Sequence, residues 1–114
     1  MNDSMTYGAP IAARAASHAE AQTRFLHVGV AYGSGIPKAP EVLEATLDKA
    51  FSWCRYSPTT WILWSNTSAS VWSDRVRKHL DPGDHMFVCA LDMSERQGWL
   101  PRWVWEWIRN PTGK

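Results

Sequence analysis

Three groups of residues in this sequence are of types that could do chemistry. His79 and His85 flank "LDPGD", where Asp81 or Asp84 would complete a metal-ligand set. The spacing matches no diagnostic pattern and Asp is common in turns, so a plain turn is the stronger reading and no metal is expected. "YGSG", Tyr32 to Gly35, has the look of a phosphate loop, but the third glycine and the lysine that give such loops their geometry and charge are missing. That leaves a strand-to-helix turn. Ser, His and Asp occur without a nucleophile elbow or similar motif, so no catalytic residue and no cofactor is assigned. The third group is aromatic: "QGWLPRWVWEWIRN" holds Trp99, Trp103, Trp105 and Trp107. Indole rings fill cores, stack on bases, sit at membrane interfaces or anchor protein contacts, and the element that carries them decides which.

Composition narrows the setting. With 114 residues, 45% of them hydrophobic, the chain is long enough for one core and too short for two ordinary domains. A formal charge of +1 provides no global field, so a nucleic-acid or acidic-lipid partner would need a local basic patch. Cys54 and Cys89 stand far apart without a CxxC or Cys/His spacing, which points to two thiols in a reducing compartment. No apolar run approaches the roughly 20 residues of a spanning helix, and a cytoplasmic protein with no membrane contact is expected.

The elements follow from periodicity and punctuation. Residues 1–24 are Ala-rich with little to bury and are expected to form an N-terminal arm, helical in part. "RFLHVGVAY" alternates as a strand, and Pro40 with Glu41 and Glu44 starts a helix expected over Ala39 to Ala50, with Leu43, Leu47, Ala50 and Phe51 along one side. "SWCRY" and "TTWILWS" read as a hairpin. Thr67 or Ser68 caps a second helix carrying Trp72, Val76 and Leu80, "DPGD" is a turn, and "HMFVCALDM" is a fourth strand. Pro101 opens a last helix over 101–109, ended by Asn110-Pro111. The expected class is α+β, a ferredoxin-like β-α-β-β-α-β antiparallel sheet with an extra C-terminal helix. One domain spans 25–110, and 111–114 are a tail. Two helices cover one sheet face; the other must be polar or be covered by the last helix, the arm or a second subunit.

On a helical wheel Leu100, Trp103, Val104, Trp107 and Ile108 share a half-circle, which makes Trp103 and Trp107 packing residues with Trp99 folded over the same side. Trp105 points the other way, between Arg102 and Arg109, within reach of both for cation–π contact. It is the residue expected to meet a partner. Trp61 and Trp64 lie on opposite faces of the third strand, so one of them falls on the face away from the two helices and is a second candidate contact. With Arg55, Arg75, Arg77 and Lys78 as phosphate contacts, that ring would suit single-stranded nucleic acid; a dimer seam or a core beneath the last helix is the stronger reading.

From the hairpin onward, "TTWILWSNTSASVWSDRVRKHLDPGDHMFVCAL" resembles the SinR-like proteins and the small CRISPR-associated ferredoxin-like endoribonucleases. The shared features are a "TWI" strand, a helix ending in "HL", an Asp-x-x-Asp turn and a hydrophobic strand, within Phe25 to Asp92. The resemblance implies a ferredoxin-like homodimer and, in some members, metal-dependent nuclease activity. Those nucleases carry an Asp at the end of the first strand to hold a divalent cation. Here Tyr32, Gly33 and Ser34 stand there instead. The function expected is therefore a non-catalytic, dimerising protein that binds a protein partner ahead of nucleic acid. A phage or mobile-element factor, such as an anti-CRISPR inhibitor of a host defence complex, is one role of that kind. A metal-dependent endoribonuclease and a single-stranded nucleic-acid binder are the alternatives.

Overall fold

A computed structural model describes residues 22–112 of the chain. The arm expected over 1–24 lies outside the described residues except at its end, where Arg24 already opens the first strand.

Strand β1, Arg24–Ala31, buries Leu26, Val28 and Val30 on one face and turns Phe25, His27 and Gly29 to the other. Helix α1, Glu41–Leu47, starts after Pro40 with φ at −74°, and Glu41 and Glu44 sit in the first turn where the helix dipole favours acids. It is shorter than expected. Lys49 and Ala50 donate three residues back, to the carbonyls of Thr46 and Leu47, and Phe51 N–H already bonds the Trp64 carbonyl in the sheet. Phe51 is consequently exposed and not part of the helical core face.

Strands β2, Ser52–Ser57, and β3, Thr60–Ser65, form the hairpin, with an irregularity in register between Arg55 and Ser57. Helix α2, Ala69–Arg77, is capped by Ser68, whose Oγ accepts the Val71 N–H at 3.2 Å, a contact of about 1 kcal/mol. Gly83, at φ 95°, supplies the left-handed step of the "DPGD" turn before β4, His85–Ala90. Helix α3, Arg102–Arg109, begins after Pro101.

The strands lie in the order β2-β3-β1-β4, and every neighbouring pair is antiparallel. Each helical connection skips one strand: α1 joins β1 to β2 around β3, and α2 joins β3 to β4 around β1. Over the described residues the result is a small α+β fold with a four-stranded antiparallel sheet and three helices.

Both faces of the sheet carry a core. On one, α1 and α2 cover Leu26, Val28, Val30, Trp61 and Leu63 with Leu43, Leu47, Trp72 and Val76. Two indole N–H groups are satisfied inside it: Trp61 donates to Glu44 Oε2 at 2.9 Å and Trp72 to Ser65 Oγ at 3.0 Å. On the other face α3 lays Val104 and Ile108 on Cys54 and Ile62, with Phe25, Tyr56, Leu91, Met93 and Leu100 around them. The face left by the two central helices is thus covered in part by the terminal helix.

The orientation of α3 corrects the wheel. Its fully packed residues are Val104 and Ile108 alone. With the contact axis midway between them, Trp105 and Trp107 flank it at about 80° on either side, while Trp103 stands about 120° away. Both flanking rings are half-buried in the second core. Trp107 meets Phe25 edge-on at 5.7 Å and donates to Ser52 Oγ at 2.8 Å. Trp103 is 51% exposed and Trp99 wholly exposed. Against expectation, then, Trp105 packs and Trp103 and Trp99 do not. The physical reason is that an aliphatic pair fits the flat surface of Cys54 and Ile62, and this turns α3 by about 50° from the face that the bulkier rings suggest.

Candidate interaction surface

The residues singled out from the sequence end in different places. Trp61, at 0% exposure, has no surface to offer a partner. Trp64 is on the opposite face as expected, but it is half-buried, with its ring 4.7 Å from that of Phe25. Arg102 is held by Glu106 one turn on, Nε to Oε2 3.2 Å, so its guanidinium is engaged by a carboxylate. Arg109 is exposed at the end of α3.

The four basic candidates do not assemble behind Trp64. Arg55 pairs with Trp61 in the hairpin register and reaches Glu44 at 3.5 Å, which puts it on the α1 side of the sheet. Arg75 lies over the Trp72 ring at 4.7 Å, and Arg77 and Lys78 end α2 on that same side. Trp64 therefore faces one way and the cations the other, which separates the stacking ring from the phosphate contacts that a nucleic-acid platform needs together.

The "YGSG" loop and the "DPGD" turn meet and satisfy each other. Asp84 Oδ1 accepts the Gly33 N–H at 2.8 Å, Asp84 Oδ2 accepts the Asp81 N–H at 2.8 Å, and Lys38 bridges to Asp81 at 2.6 Å. These backbone donors, first that of Asp81 and then that of Gly33, hold the Asp84 carboxyl below its ordinary pKa, with Lys38 adding to the effect. A carboxylate does stand beside the end of β1, supplied by the turn residue just before β4, and its oxygens are occupied by the clip. His79 is also engaged, its Nε2 lying 2.7 Å from Thr46 Oγ1. Among the described residues no three metal-ligating side chains converge.

The thiols are separate. Cys54 is buried and its pKa is pushed up to about 11 by burial; Cys89 is half-buried and raised for the same reason.

Besides the scattered Ile36, Val42 and Phe51, two places among the described residues combine exposed aromatic rings with a concavity or a shallow patch. At the β2 edge a groove of about 580 Å³ is lined by Trp103 and Trp107 of α3 on one side, by Trp53, Cys54 and Arg55 of β2, and by Glu44 of α1 on the other. Trp99, fully exposed, precedes α3 by three residues. At the opposite edge, beyond the reach of α3, Gly29, Ala31, Thr60, His85 and Phe87 form a shallow patch of about 300 Å³ with Phe87 65% exposed. His27 lies against it, 6.1 Å from Phe87 ring to ring, with its Nδ1 buried and unpaired among the described residues. Sequence reasoning missed Phe87. The alternation of "HMFVCA" places it away from α2, and only the path of α3 shows that nothing described covers it.

No family model, no curated protein and no solved structure matches this chain. Among the described residues no helix is long and apolar enough to cross a membrane.

Proposed function

We propose that this chain is a non-catalytic interaction protein of ferredoxin-like organisation that binds a protein partner through the Trp99–Trp103 side of α3 and associates with itself. The ferredoxin-like reading is supported by two connections that each skip a strand within an all-antiparallel sheet. The observation that carries the functional reading is the exposed Trp103 lining a groove at a sheet edge, with Trp99 wholly exposed three residues ahead of the same helix. Tryptophan has a large apolar area and few rotamers to freeze, so exposed rings next to a concavity are the usual anchors of protein contacts. Arg102 and Arg109 form the polar rim. Trp105, half-buried, supports the helix more than it meets the partner.

A protein partner is favoured over nucleic acid because the basic side chains lie on the other side of the sheet from the half-buried ring of Trp64. The nuclease alternative loses support because the carboxylate beside the end of β1 is committed to backbone amides and Lys38. The deciding experiment is affinity capture from the native cell with wild type and with Trp99→Ala/Trp103→Ser. A protein retained by wild type and lost by the variant is the expected result. Equal capture by both, or salt-sensitive retention of RNA or DNA alone, would refute the reading.

A further inference from the structure

The two sheet edges are unlike each other. On β2, the register irregularity between Arg55 and Ser57 and the charged Arg55 are devices that discourage a further strand, and α3 packs close by. Strand β4, "HMFVCA", has none of them: no proline, no lysine or arginine, and no irregularity in its pairing with β1. Its backbone polarity is fixed by the ladder. Leu91 N–H bonds the Phe25 carbonyl, and His27–Cys89, Gly29–Phe87 and Ala31–His85 continue the same alternation. Residues 85, 87 and 89 therefore point their amides at β1, and Met86, Val88 and Ala90 point theirs outward. A groove of about 690 Å³ runs along this edge between Ser73, Arg77 and Leu80 on one side and Met86, Phe87 and Val88 on the other.

We infer that the β4 edge pairs antiparallel with β4 of a second copy of this chain, about a two-fold axis at Val88, making a continuous eight-stranded sheet. This rests on the self-association proposed above and gives it a geometry. Three outward positions centred on Val88 are self-complementary. Val88 faces its own symmetry mate, and Met86 and Ala90 exchange bonds with Ala90 and Met86 of the other copy. The same register sets Phe87 opposite Cys89 of the other copy on the face that α3 leaves open, so the exposed ring gains a neighbour there.

The register makes a covalent test. Phe87 and Cys89 of the other copy form a non-hydrogen-bonded pair, with Cα atoms about 4.5 Å apart, within the range a disulfide spans. Full-length Phe87→Cys, oxidised with diamide, should give a dimer on non-reducing gels in which the introduced thiol of one copy is bridged to Cys89 of the other. Phe87→Cys/Cys89→Ser should lose that bridge. Wild type should sediment as a dimer. Val88→Pro should remain folded by circular dichroism, since its N–H serves only the outer edge, and should dimerise at least about tenfold more weakly because symmetry removes two hydrogen bonds at once. A monomeric wild type overturns both the self-association and this geometry, whatever else occupies the edge. A dimer that shows no bridge from the introduced thiol to Cys89, or that ignores Val88→Pro, overturns the β4 pairing and leaves self-association through another surface.

Discussion

Replacing Ile108 by Ala tests whether α3 is anchored as described. Ile108 is 5% exposed and packs with Val104 on Cys54 and Ile62. The change deletes three carbons, worth about 2.4 kcal/mol at roughly 0.8 kcal/mol each. A void of roughly 80 Å³ would add about 2 kcal/mol if nothing moved. Because α3 is an outer layer with solvent behind it, the helix can settle toward the sheet, and the expected loss is about 3 kcal/mol. Trp99→Ala is the internal control: a fully exposed ring removes no surface from water on folding, so its cost should stay within about 0.5 kcal/mol. Urea unfolding followed by far-UV circular dichroism measures both, and hydrogen exchange on the α3 amides shows whether the helix releases by itself before the sheet. A loss below about 1 kcal/mol for Ile108→Ala, or above it for Trp99→Ala, would refute this orientation of the helix.

Other measurements probe the clip and the thiols. In Gly33→Ala the new Cβ would sit 2.6 Å from the Gly83 carbonyl oxygen, backbone against backbone, so a cost of about 1–3 kcal/mol and a clearly lower melting temperature are expected; an unchanged melt would show that the clip is not close-packed. Because the folded Asp84 carboxyl is held below its unfolded value near pH 4, its contribution is fully present above that value and lost as pH falls through the folded one. The urea midpoints of wild type and Asp84→Asn should therefore differ most at neutral pH and converge in acid; a gap that widens on acidification would contradict the assignment. With Ellman's reagent near pH 8, Cys89 should react first and the buried Cys54 only as the fold opens, and two thiols reacting together at once would argue against the second core.

Much of the fold was legible because it is local. The period-2 run from Phe25 onward, the Ser68 cap, Trp72 and Val76 four residues apart, Pro101 ahead of the last helix and the Asp-Pro-Gly-Asp turn are set by steric and hydrogen-bonding preferences within a few residues, and each forms near where it was expected. Trp61 and Trp64 were assigned to opposite faces by strand alternation alone, and alternation does not depend on what lies above the sheet. Even the end of α1 was only partly local. Phe51 fits the helical stripe by spacing, yet its amide is taken by Trp64 of a strand that comes later in the chain.

The candidate surface was decided by tertiary contact. A helical wheel ranks faces by hydrophobicity, and with four tryptophans on and just before one short helix several faces score alike. The choice fell to Cys54, Ile62 and the Ser52 hydroxyl, which together admit Val104, Ile108 and the Trp107 N–H and leave Trp103 outside. Likewise, nothing near Gly33 in sequence announces that its amide will be met by Asp84, 51 residues away. The sequence alone thus determined which segments are strands and helices and which side chains each presents together, because those follow from backbone geometry. Which of those faces are covered, which tryptophans stay exposed and which sheet edge stays open were decided only when distant segments packed, since burial is a property of two surfaces and the chain states only one at a time.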